Sequence, residues 1–453
     1  MEAAETPAYA CPRCDRALDS IESGLRCAGC KVDFPLVGGL PFLFAEPNAA
    51  LAEWRNRFAY LVRVLEADAK RYLNAANRAD VVESTKSRLE SLAAATSDHC
   101  TRLRQLLAPL DLDEPAAAIE TFLALRTRLP PDQGLMTYFP NVHRDWCWGD
   151  AENEASIGVV LEALGEHSPN RALVLGSGAG RLAYDLHERS GAQHTLALDF
   201  NPLLSLLASA IASGDAIELY EFPLAPIDAD HAAVLRRLAA PRPARDGLGF
   251  VIADAQRPPF VSKRFDTVVT PWLIDILPGD FAGLCARINH LLDDDGVWIN
   301  FGSLNFHQAD PAAQLGPGEC FEIVEQQGFH APVHKDTTIP YMCSPASRHG
   351  RQETVLSWSA RKKTHVKKVP RHEALPDWIV RGKDPIPALE HFQVTAMSTR
   401  IHAQIISLID GRRSIADIAS LLERERLMPA EEAEASIRGL LIRLFDESQL
   451  RRP

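Results

Sequence analysis

Three glycines in one short turn are the residues of this sequence best suited to holding a ligand. Gly176, Gly178 and Gly180 directly follow an apolar run, and an amphipathic helical pattern begins immediately after them. Glycines at a strand-to-helix junction let the backbone turn tightly and approach a ligand where a side chain would clash. A second apolar run ends in Asp199, 21 residues after Gly178, and at that spacing a carboxylate can reach ribose hydroxyls. The sequence therefore predicts a ligand that contains a nucleoside.

Two more carboxylates and a histidine stand where later strands of the same sheet are expected to end. Asp254 closes the third apolar run, Asp275 follows the fourth, and His307 follows the fifth. Because the carboxyl ends of parallel strands meet at one edge of a sheet, we expect these side chains near the glycine turn. Carboxylates and imidazoles at such a place can accept and donate protons. The simpler alternatives are that Asp275 caps a helix and that His307 is an ordinary loop residue.

Four cysteines near the start of the chain have the spacing of metal ligands. Cys11 and Cys14 form one C-x2-C pair, and Cys27 and Cys30 form a second pair after twelve intervening residues. Two such pairs complete the tetrahedral thiolate shell of a structural zinc ion and leave no position open for a substrate. A redox dithiol is the alternative, but it would be expected as a single C-x-x-C in a thioredoxin-like unit. The other cysteines are scattered, and we interpret them as free thiols.

Alternating strands and helices supply the framework that these residues require. Short apolar runs alternate with helical patterns from residue 171 to residue 359, which predicts a doubly wound, mostly parallel α/β sheet. A Pro- and Ala-rich insertion, about 215–248, follows the second strand. Upstream, Trp54, Phe58 and Leu61 fall on one helical face, which favours helices that pack on the core over a separate binding domain.

An aromatic segment precedes the sheet. Residues 138–149 contain a tyrosine, a phenylalanine and two tryptophans, together with a histidine and the pair Arg144-Asp145. One interpretation is a packing segment anchored by its tryptophans. The functional interpretation is a lid whose Arg144 reaches the carboxylate of a bound ligand.

Length, charge and composition limit the classes of protein that this chain can be. A chain of 453 residues exceeds one ordinary core. We expect a zinc ribbon (1–47), a helical segment (48–137), the α/β domain (138–362), a basic linker (363–375) and a mainly helical C-terminal domain (376–453). The net charge of −12 argues against a nucleic-acid binder. The first residues lack a signal-peptide pattern and no apolar run is long enough to span a membrane, so a cytoplasmic protein is expected.

The glycine turn favours one nucleoside ligand over another. A dinucleotide site usually has Gly-x-Gly-x-x-Gly, whereas this chain has Gly-Ser-Gly-Ala-Gly-Arg, which is one residue tighter. Together with Asp199 and Asp254, this pattern resembles the class I methyltransferases. The resemblance implies a seven-stranded, Rossmann-like core that binds S-adenosylmethionine (SAM), with the glycines beneath the methionine part, one acid on the ribose and the other on the adenine. An NAD-dependent enzyme is the alternative.

Four stretches narrow this resemblance. NVHRDW, LGSGAGRLA, WLIDIL and WINFGSLNFH resemble the carnosine N-methyltransferase family, which methylates a histidine imidazole, over roughly Tyr138–Arg361. The resemblance implies that Arg144 and Asn141 contact the methyl donor, SAM. Asn141 stands where the family has Gln. The resemblance also implies donor-site roles for Gly176, Gly178, Gly180, Asp199, Asp254 and Ala255, and substrate or catalytic roles for Asp275, His307 and Tyr341. A second substrate tyrosine of the family has no clear match around 349–352.

Both terminal segments have resemblances of their own. The cysteine-containing segment resembles the small zinc-ribbon proteins that partner tRNA and translation-factor methyltransferases. LIDGRRSIADIASLL, in which Ser414 is expected to cap a helix, is similar to winged-helix peptide-carrier domains of the pyrroloquinoline-quinone peptide chaperone type. The resemblance implies that a peptide or protein could dock on the C-terminal domain.

These resemblances imply methyl transfer from SAM to a ring nitrogen of an imidazole. The attacking nitrogen needs its lone pair, so the ring must be neutral and protonated on the other nitrogen. Asp275 could accept that N–H, His307 could bind the substrate or relay the proton, and Tyr341 could line the ring. The expected substrate is a histidine dipeptide or a thiolated histidine such as an ovothiol precursor. The alternatives are methylation of a ribosomal peptide docked on the C-terminal domain and a non-catalytic SAM-binding adaptor.

Overall fold

The computed structural model describes residues 9–112, 138–277, 280–306, 310–366, 385–388 and 390–450. The chain separates into two units, Met1–Ala374 and Leu375–Pro453. None of the described helices combines the length and the apolar character that crossing a membrane requires.

Strands and helices alternate through the first unit, and helices alone make up the described part of the second. The described strands are β1 (Asp19–Ile21), β2 (Gly24–Cys27), β3 (Val32–Val37), β4 (Leu40–Leu43), β5 (Arg171–Leu175), β6 (His194–Asp199), β7 (Ile217–Glu221), β8 (Val234–Leu238), β9 (Leu248–Ala253), β10 (Phe265–Pro271), β11 (Leu292–Gly302), β12 (Val333–Tyr341) and β13 (Arg351–Arg361). The described α-helices are α1 (Pro47–Ala76), α2 (Glu83–Leu106), α3 (Pro140–His143), α4 (Asp150–Leu164), α5 (Arg181–Ser190), α6 (Pro202–Ala212), α7 (Phe281–Leu291), α8 (Pro317–Gln326), α9 (Glu390–Ser407), α10 (Ile415–Arg424) and α11 (Ala430–Leu450).

Seven strands form a doubly wound sheet in the order β9-β6-β5-β10-β11-β13-β12. All pairs are parallel except those of β13, which runs antiparallel to both β11 and β12. The chain builds outward from β5 through β6 to β9, then returns to β10 on the other side of β5. Ligands of such sheets bind at the carboxyl ends of the strands where the order reverses, which here lies between β5 and β10. The predicted fold class, a doubly wound, Rossmann-like α/β core, is confirmed.

The cysteine-containing segment extends this sheet. Strands β1–β4 are antiparallel to one another, and β4 pairs in parallel with β9 through Phe42 with Ile252 and Leu43 with Ala253. The result is one sheet of eleven strands. The hairpin β3–β4 follows the second cysteine pair, and its pairing with the edge of the core was not predicted.

Helices α1 and α2 pack on the core through the face that the sequence indicated. Trp54, Phe58 and Leu61 are buried in the same apolar cluster as residues of β5 and α6. The ring of Trp54 lies 5.7 Å, between centroids, from that of Phe200, which follows β6. The end of the predicted helical segment, from residue 113 to residue 137, lies outside the described residues.

The insertion after α6 contains an antiparallel hairpin, β7–β8, that the sequence analysis did not identify. It lies against α2 and α3. The guanidinium of Arg102 is 3.2 Å from the carboxylate of Glu218, and the backbone oxygen of Tyr220 lies 3.1 Å from Nε2 of His143. The hairpin therefore helps to hold the segment that carries Arg144.

The second unit has a small core of its own. Helices α9, α10 and α11 bury Ile405, Ile418, Leu422 and Ile437 against one another. Ser414 caps α10, as predicted: its hydroxyl accepts the N–H of Asp417 at 3.2 Å, and Asp417 in turn accepts the N–H of Ser414 at 2.8 Å. Most of the predicted basic linker, from residue 367 onward, lies outside the described residues.

Candidate active site

The turn after β5 is open towards the edge of the sheet. Gly176 and Gly178 have φ angles of +72° and +56°, which L side chains rarely adopt. A Cβ atom at Gly176 would lie 2.7 Å from Cδ1 of Leu273, whereas a Cβ atom at Gly178 would meet no described atom within 4 Å. The turn therefore needs glycine for its conformation, and the space above Gly178 is available to a ligand. Gly180, the third predicted residue, is the residue before α5.

Asp199 stands at the carboxyl end of β6, beside this turn. Its Oδ2 accepts the N–H of Gly178 at 2.8 Å, and its Oδ1 accepts the N–H of Asn201 at 2.9 Å. Burial raises the pKa of Asp199 to about 6. Each carboxylate oxygen has a second lone pair, so the group can still accept hydroxyl donors.

Asp254 and Ala255 follow β9, the neighbour of β6. The carboxylate of Asp254 accepts the N–H of Gln256 at 2.8 Å, which fixes the turn that leaves the strand. Ala255 is buried. Asp199 is paired with Ile252 in the β6–β9 register. The two acids predicted for the donor site, Asp199 and Asp254, therefore lie at the carboxyl ends of adjacent strands.

The segment that carries Arg144 is fastened to the glycine turn. It consists of α3 and a π-helical turn, Arg144–Trp148, and π-helical turns are frequent at functional sites. The indole N–H of Trp146 donates to the backbone oxygen of Ala179 at 2.7 Å, and Nη1 of Arg181 donates to the backbone oxygen of Asp145 at 2.8 Å. Trp146 is thus an anchor, as the packing interpretation expected, and it places Arg144 next to the turn. Asn141 lies in α3, three residues before Arg144, and is partly buried.

Two carboxylates surround the Arg144 guanidinium. Nε donates to Oδ1 of Asp145 at 2.6 Å, and Nη1 donates to Oε1 of Glu152 at 2.8 Å. Although burial opposes the charge, these two carboxylates keep the pKa of Arg144 above its ordinary value. The side chain of Arg144 is 15% exposed.

On the other side of β5, the carboxyl ends of β10 and β12 carry aromatic residues. The rings of Trp272 and Tyr341 lie 5.1 Å apart between centroids, and the Arg351 guanidinium lies 4.6 Å from the centroid of Tyr341. Trp272 has a φ of +48° and its N–H donates to the backbone oxygen of Phe301 at 2.7 Å. A non-glycine residue in this conformation is strained by about 1 kcal/mol or more, and such strain concentrates at functional sites.

Asp275 joins the loops that follow β10 and β11. Its Oδ2 accepts the N–H of Asn305 at 2.6 Å, and the residue is buried. It does not cap the following helix, because the carboxylate of Asp280 accepts the N–H groups of Ala282 and Gly283 at the start of α7. The helix-cap alternative for Asp275 is therefore wrong. The predicted His307 lies outside the described residues.

Two residues near the site were not singled out by the sequence analysis. Burial, together with the charges of Tyr341, Asp199 and Asp275, raises the pKa of Tyr138 to about 12. Glu152 is 4% exposed although it lies within a helix. Tyr138 begins the aromatic segment and could have been chosen on that ground, whereas nothing in the sequence distinguishes Glu152 from the neighbouring helical acids.

The four cysteines of the first unit converge on one point. Their Sγ atoms all lie within 4.8 Å of one another, with Cys14 and Cys27 at 3.4 Å and Cys11 and Cys30 at 4.0 Å. A tetrahedral zinc ion with Zn–S bonds of about 2.3 Å separates its sulfur ligands by about 3.8 Å. The donor set therefore fits a tetrahedral metal ion, and the two cysteine pairs form one site rather than a separate dithiol.

The chain matches the sequence model of the carnosine N-methyltransferase family over residues 133–364, just over half of its length. No match was found among curated protein sequences.

Solved structures show only distant likeness to this chain. The N-methyltransferase NodS of Bradyrhizobium japonicum, solved with S-adenosylhomocysteine, is 12% identical over 50% of this chain and 99% of its own, with a TM-score of 0.32. Phosphoethanolamine N-methyltransferase 2 of Haemonchus contortus is 12% identical over 47% of this chain and 53% of its own, with a TM-score of 0.31. A complex of the Trm112 methyltransferase activator with a methyltransferase from Haloferax volcanii is 14% identical over 50% of this chain and 96% of its own, with a TM-score of 0.33.

The family match spans the glycine turn and both halves of the edge, from Asn141 and Arg144 to Tyr341. The strand order of the sheet agrees with it, since the switch point lies where the turn opens. The chain therefore belongs to the carnosine N-methyltransferase family and is a SAM-dependent N-methyltransferase.

Proposed function

We propose that this enzyme methylates a ring nitrogen of the imidazole in a histidine-derived small molecule, either a histidine dipeptide or a thiolated histidine such as an ovothiol precursor. The observation that carries the proposal is the buried carboxylate of Asp275, which is 7% exposed and lies at the same sheet edge as the aromatic pair Trp272 and Tyr341. A carboxylate beside flat aromatic surfaces suits a neutral heteroaromatic ring that has one N–H to donate.

On the donor side, the proposed roles are those that the family resemblance implies, and the open glycine turn supports them. Arg144 would bind the carboxylate of the methionine part, and Asn141 would assist it. Asp199 would accept hydrogen bonds from the ribose hydroxyls, while Asp254 and the adjacent Ala255 would hold the adenine. SAM supplies a methyl group on a sulfonium, so the main demand on the protein is to position the two reactants in line.

On the acceptor side, Asp275 would accept the N–H of the ring nitrogen that does not react. This hydrogen bond leaves the lone pair on the other nitrogen, which attacks the methyl carbon. As the N–C bond forms and the S–C bond breaks, positive charge develops on the ring, and the carboxylate stabilises it. The remaining ring proton would then pass to Asp275 or, through His307, to water. Tyr341 would line one face of the ring.

We further propose that Cys11, Cys14, Cys27 and Cys30 hold a structural zinc ion. The convergence of their Sγ atoms supports this, and a closed set of four thiolates would fix the strands that pair with β9. All the cysteines are outside disulfide bonds. Reduced cysteines persist in a reducing compartment, so we propose that the protein is cytoplasmic.

A ribosomal peptide is the second candidate substrate, and one observation favours it. Helix α9 of the second unit exposes Val394 and Met397, at 52% and 61%. Exposed large apolar side chains on one helix are typical of a docking surface. Removal of residues 367–453 should spare methylation of a small molecule and abolish methylation of a docked peptide.

The experiment that tests the proposal combines a substrate panel with one matched pair of variants. The protein is incubated with methyl-labelled SAM and histidine, carnosine or 5-thiohistidine, and the methylated nitrogen is mapped. Asp275→Asn should lower kcat by about 100-fold, since it removes a charge that acts in the transition state. Its amide oxygen can still accept the Asn305 N–H, so the loop is expected to keep its shape.

The control is Asp280→Asn, five residues further along. Asn is as good a helix cap as Asp, so this variant should retain wild-type kcat. If no imidazole in the panel accepts the methyl group although the protein binds the donor, the proposed substrate class is wrong. Equal kcat in Asp275→Asn and the wild type would exclude the role of the carboxylate.

A further inference from the structure

A single buried carboxylate bridges the two halves of the candidate active site. Oε1 of Glu152, on α4, accepts a hydrogen bond from Nη1 of Arg144 at 2.8 Å. Oε2 of Glu152 accepts the backbone N–H of Met342 at 2.7 Å. Met342 directly follows Tyr341 at the end of β12. One side chain thus touches both the arginine proposed to bind the donor and the turn that carries the tyrosine proposed to line the substrate.

The turn that Glu152 holds is strained. Met342 has a φ of +53°, and a non-glycine residue in the left-handed region is costly unless its surroundings hold it there. The hydrogen bond from its N–H to a buried carboxylate is a charge-assisted bond of the stronger kind. The position of Tyr341 therefore depends on the orientation of the Glu152 carboxylate.

Two acids form ion pairs with the Arg144 guanidinium. Asp145 and Glu152 both accept hydrogen bonds from its guanidinium, and both of these side chains are 5% exposed. A third carboxylate that arrives from a ligand would bind the remaining N–H groups of the same guanidinium and would repel both acids, so we expect the ion pairs of Arg144 to weaken when it binds. Glu152 is the one of the two acids that also bonds the Met342 amide.

We infer that Glu152 is a positioning residue that couples donor binding at Arg144 to the conformation of the turn at Tyr341. The inference rests on the proposed function, because it takes Arg144 as the donor contact and Tyr341 as a substrate contact. Coupling of this kind is reciprocal, so the substrate must raise or lower the affinity for the donor by the same factor as the donor changes the affinity for the substrate.

A merely structural role would have a different signature. Loss of one partner from a buried ion pair leaves the other charge uncompensated and destabilises the protein. If Glu152 were only structural, its loss would lower the melting temperature, and the Met342 turn of the wild type would not respond to the donor. The decisive readout is therefore the response of that turn to the ligand, and stability alone cannot decide the matter.

Hydrogen exchange measured by mass spectrometry tests the coupling on the full chain. S-adenosylhomocysteine is added at saturation, and exchange is followed in peptides that span Tyr341 to Ser344. The amide of Met342 should change its exchange rate by at least about 5-fold, the lower end of ordinary coupling. Amides of Val333–Thr338, at the far end of the same strand, serve as the internal reference and should not respond.

Two variants complete the experiment. Glu152→Gln should still bind S-adenosylhomocysteine, but the ligand should no longer change exchange at Met342. Glu154→Gln is the matched control, because Glu154 lies on the same helix, is 69% exposed and pairs with Arg189 at 2.6 Å. This control should respond to the ligand as the wild type does.

Each result bears on the inference. Unchanged Met342 exchange in the ligand-bound wild type overturns it, and this measurement stands even if Glu152→Gln fails to fold. A response that persists in Glu152→Gln also overturns it, since the signal would then travel by another route. No step requires an imidazole, so a failed substrate panel with an intact exchange response would refute the substrate class and leave the coupling in place.

Discussion

Donor binding should depend on pH through one carboxyl group, that of Asp199. Burial raises its pKa to about 6, whereas an aspartic acid in water has a pKa near 3.9. The N–H groups of Gly178 and Asn201 already occupy one lone pair on each oxygen. Under the proposed function, ribose hydroxyls donate to the remaining lone pairs, and the ionised form offers more of them than the protonated form does.

The size of the effect follows from the ionised fraction. With a pKa of about 6, roughly one molecule in eleven is ionised at pH 5 and roughly ten in eleven at pH 7. If only the ionised form binds, the apparent Kd is the intrinsic Kd divided by that fraction. The Kd should then be about 10-fold weaker at pH 5 than at pH 7, which is about 1.4 kcal/mol, and should level off above pH 7.

Isothermal titration calorimetry with S-adenosylhomocysteine between pH 5 and pH 7.5 measures this dependence. The imidazoles of His99 and His143 do not contribute between these pH values, because burial lowers the pKa of His99 to about 4 and that of His143 to about 3. Asp199→Asn should bind more weakly and show no change across the range. A wild-type Kd that is the same at pH 5 and pH 7, or a dependence that survives in Asp199→Asn, would refute the reasoning.

Two further predictions concern stability. Chelation of the proposed zinc ion, or Cys14→Ser, should lower the melting temperature of the first unit by at least about 4 °C, because β4 pairs directly with β9. Calorimetry that finds the melting transition unchanged would contradict a structural role for the metal. His99→Phe should raise the free energy of unfolding by about 1–3 kcal/mol, since both ring nitrogens are buried without a hydrogen-bond partner among the described residues and the ring meets Phe139 and Phe222 edge to face. Denaturant titration measures this change, and a loss of stability would mean that the His99 imidazole has a polar role.

The central strands could be predicted because they are buried on both faces. Strands β5 and β6 are almost wholly buried, so their sequences are continuous apolar runs that stand out from their surroundings. Strand β12 was missed for the opposite reason. It is the last strand of the sheet, its first four residues are exposed and three of them are polar, and only Ile339 is fully buried. Hairpin β7–β8 was missed because charged residues such as Arg236 and Arg237 break its apolar pattern.

The residues at the strand ends could be predicted because strand position fixes them, but their partners could not. The sequence places Asp199, Asp254 and Asp275 after strands of one sheet, and parallel strands bring such ends together. Glu152 gives no such signal, because its two partners are Arg144, which is nearby in the chain, and Met342, which is 190 residues away. The pairing of β4 with β9 is equally invisible to local patterns, since it joins residues more than 200 positions apart.

Under the proposed function, the acids that would bind the donor and the residues that would bind the acceptor lie on opposite sides of β5. Strands β6 and β9, with Asp199 and Asp254, lie on one side of β5, whereas β10 to β13 lie on the other. On that second side, Arg351 covers the ring of Tyr341 with its guanidinium, close to the part of the chain where the family's second substrate tyrosine has no clear match. A cation over an aromatic face alters both the charge and the shape offered to a substrate. Changes at the ends of β12 and β13 can therefore alter the acceptor site while Asp199 and Asp254 stay in place, so we expect Tyr341 and Arg351 to decide the choice of imidazole.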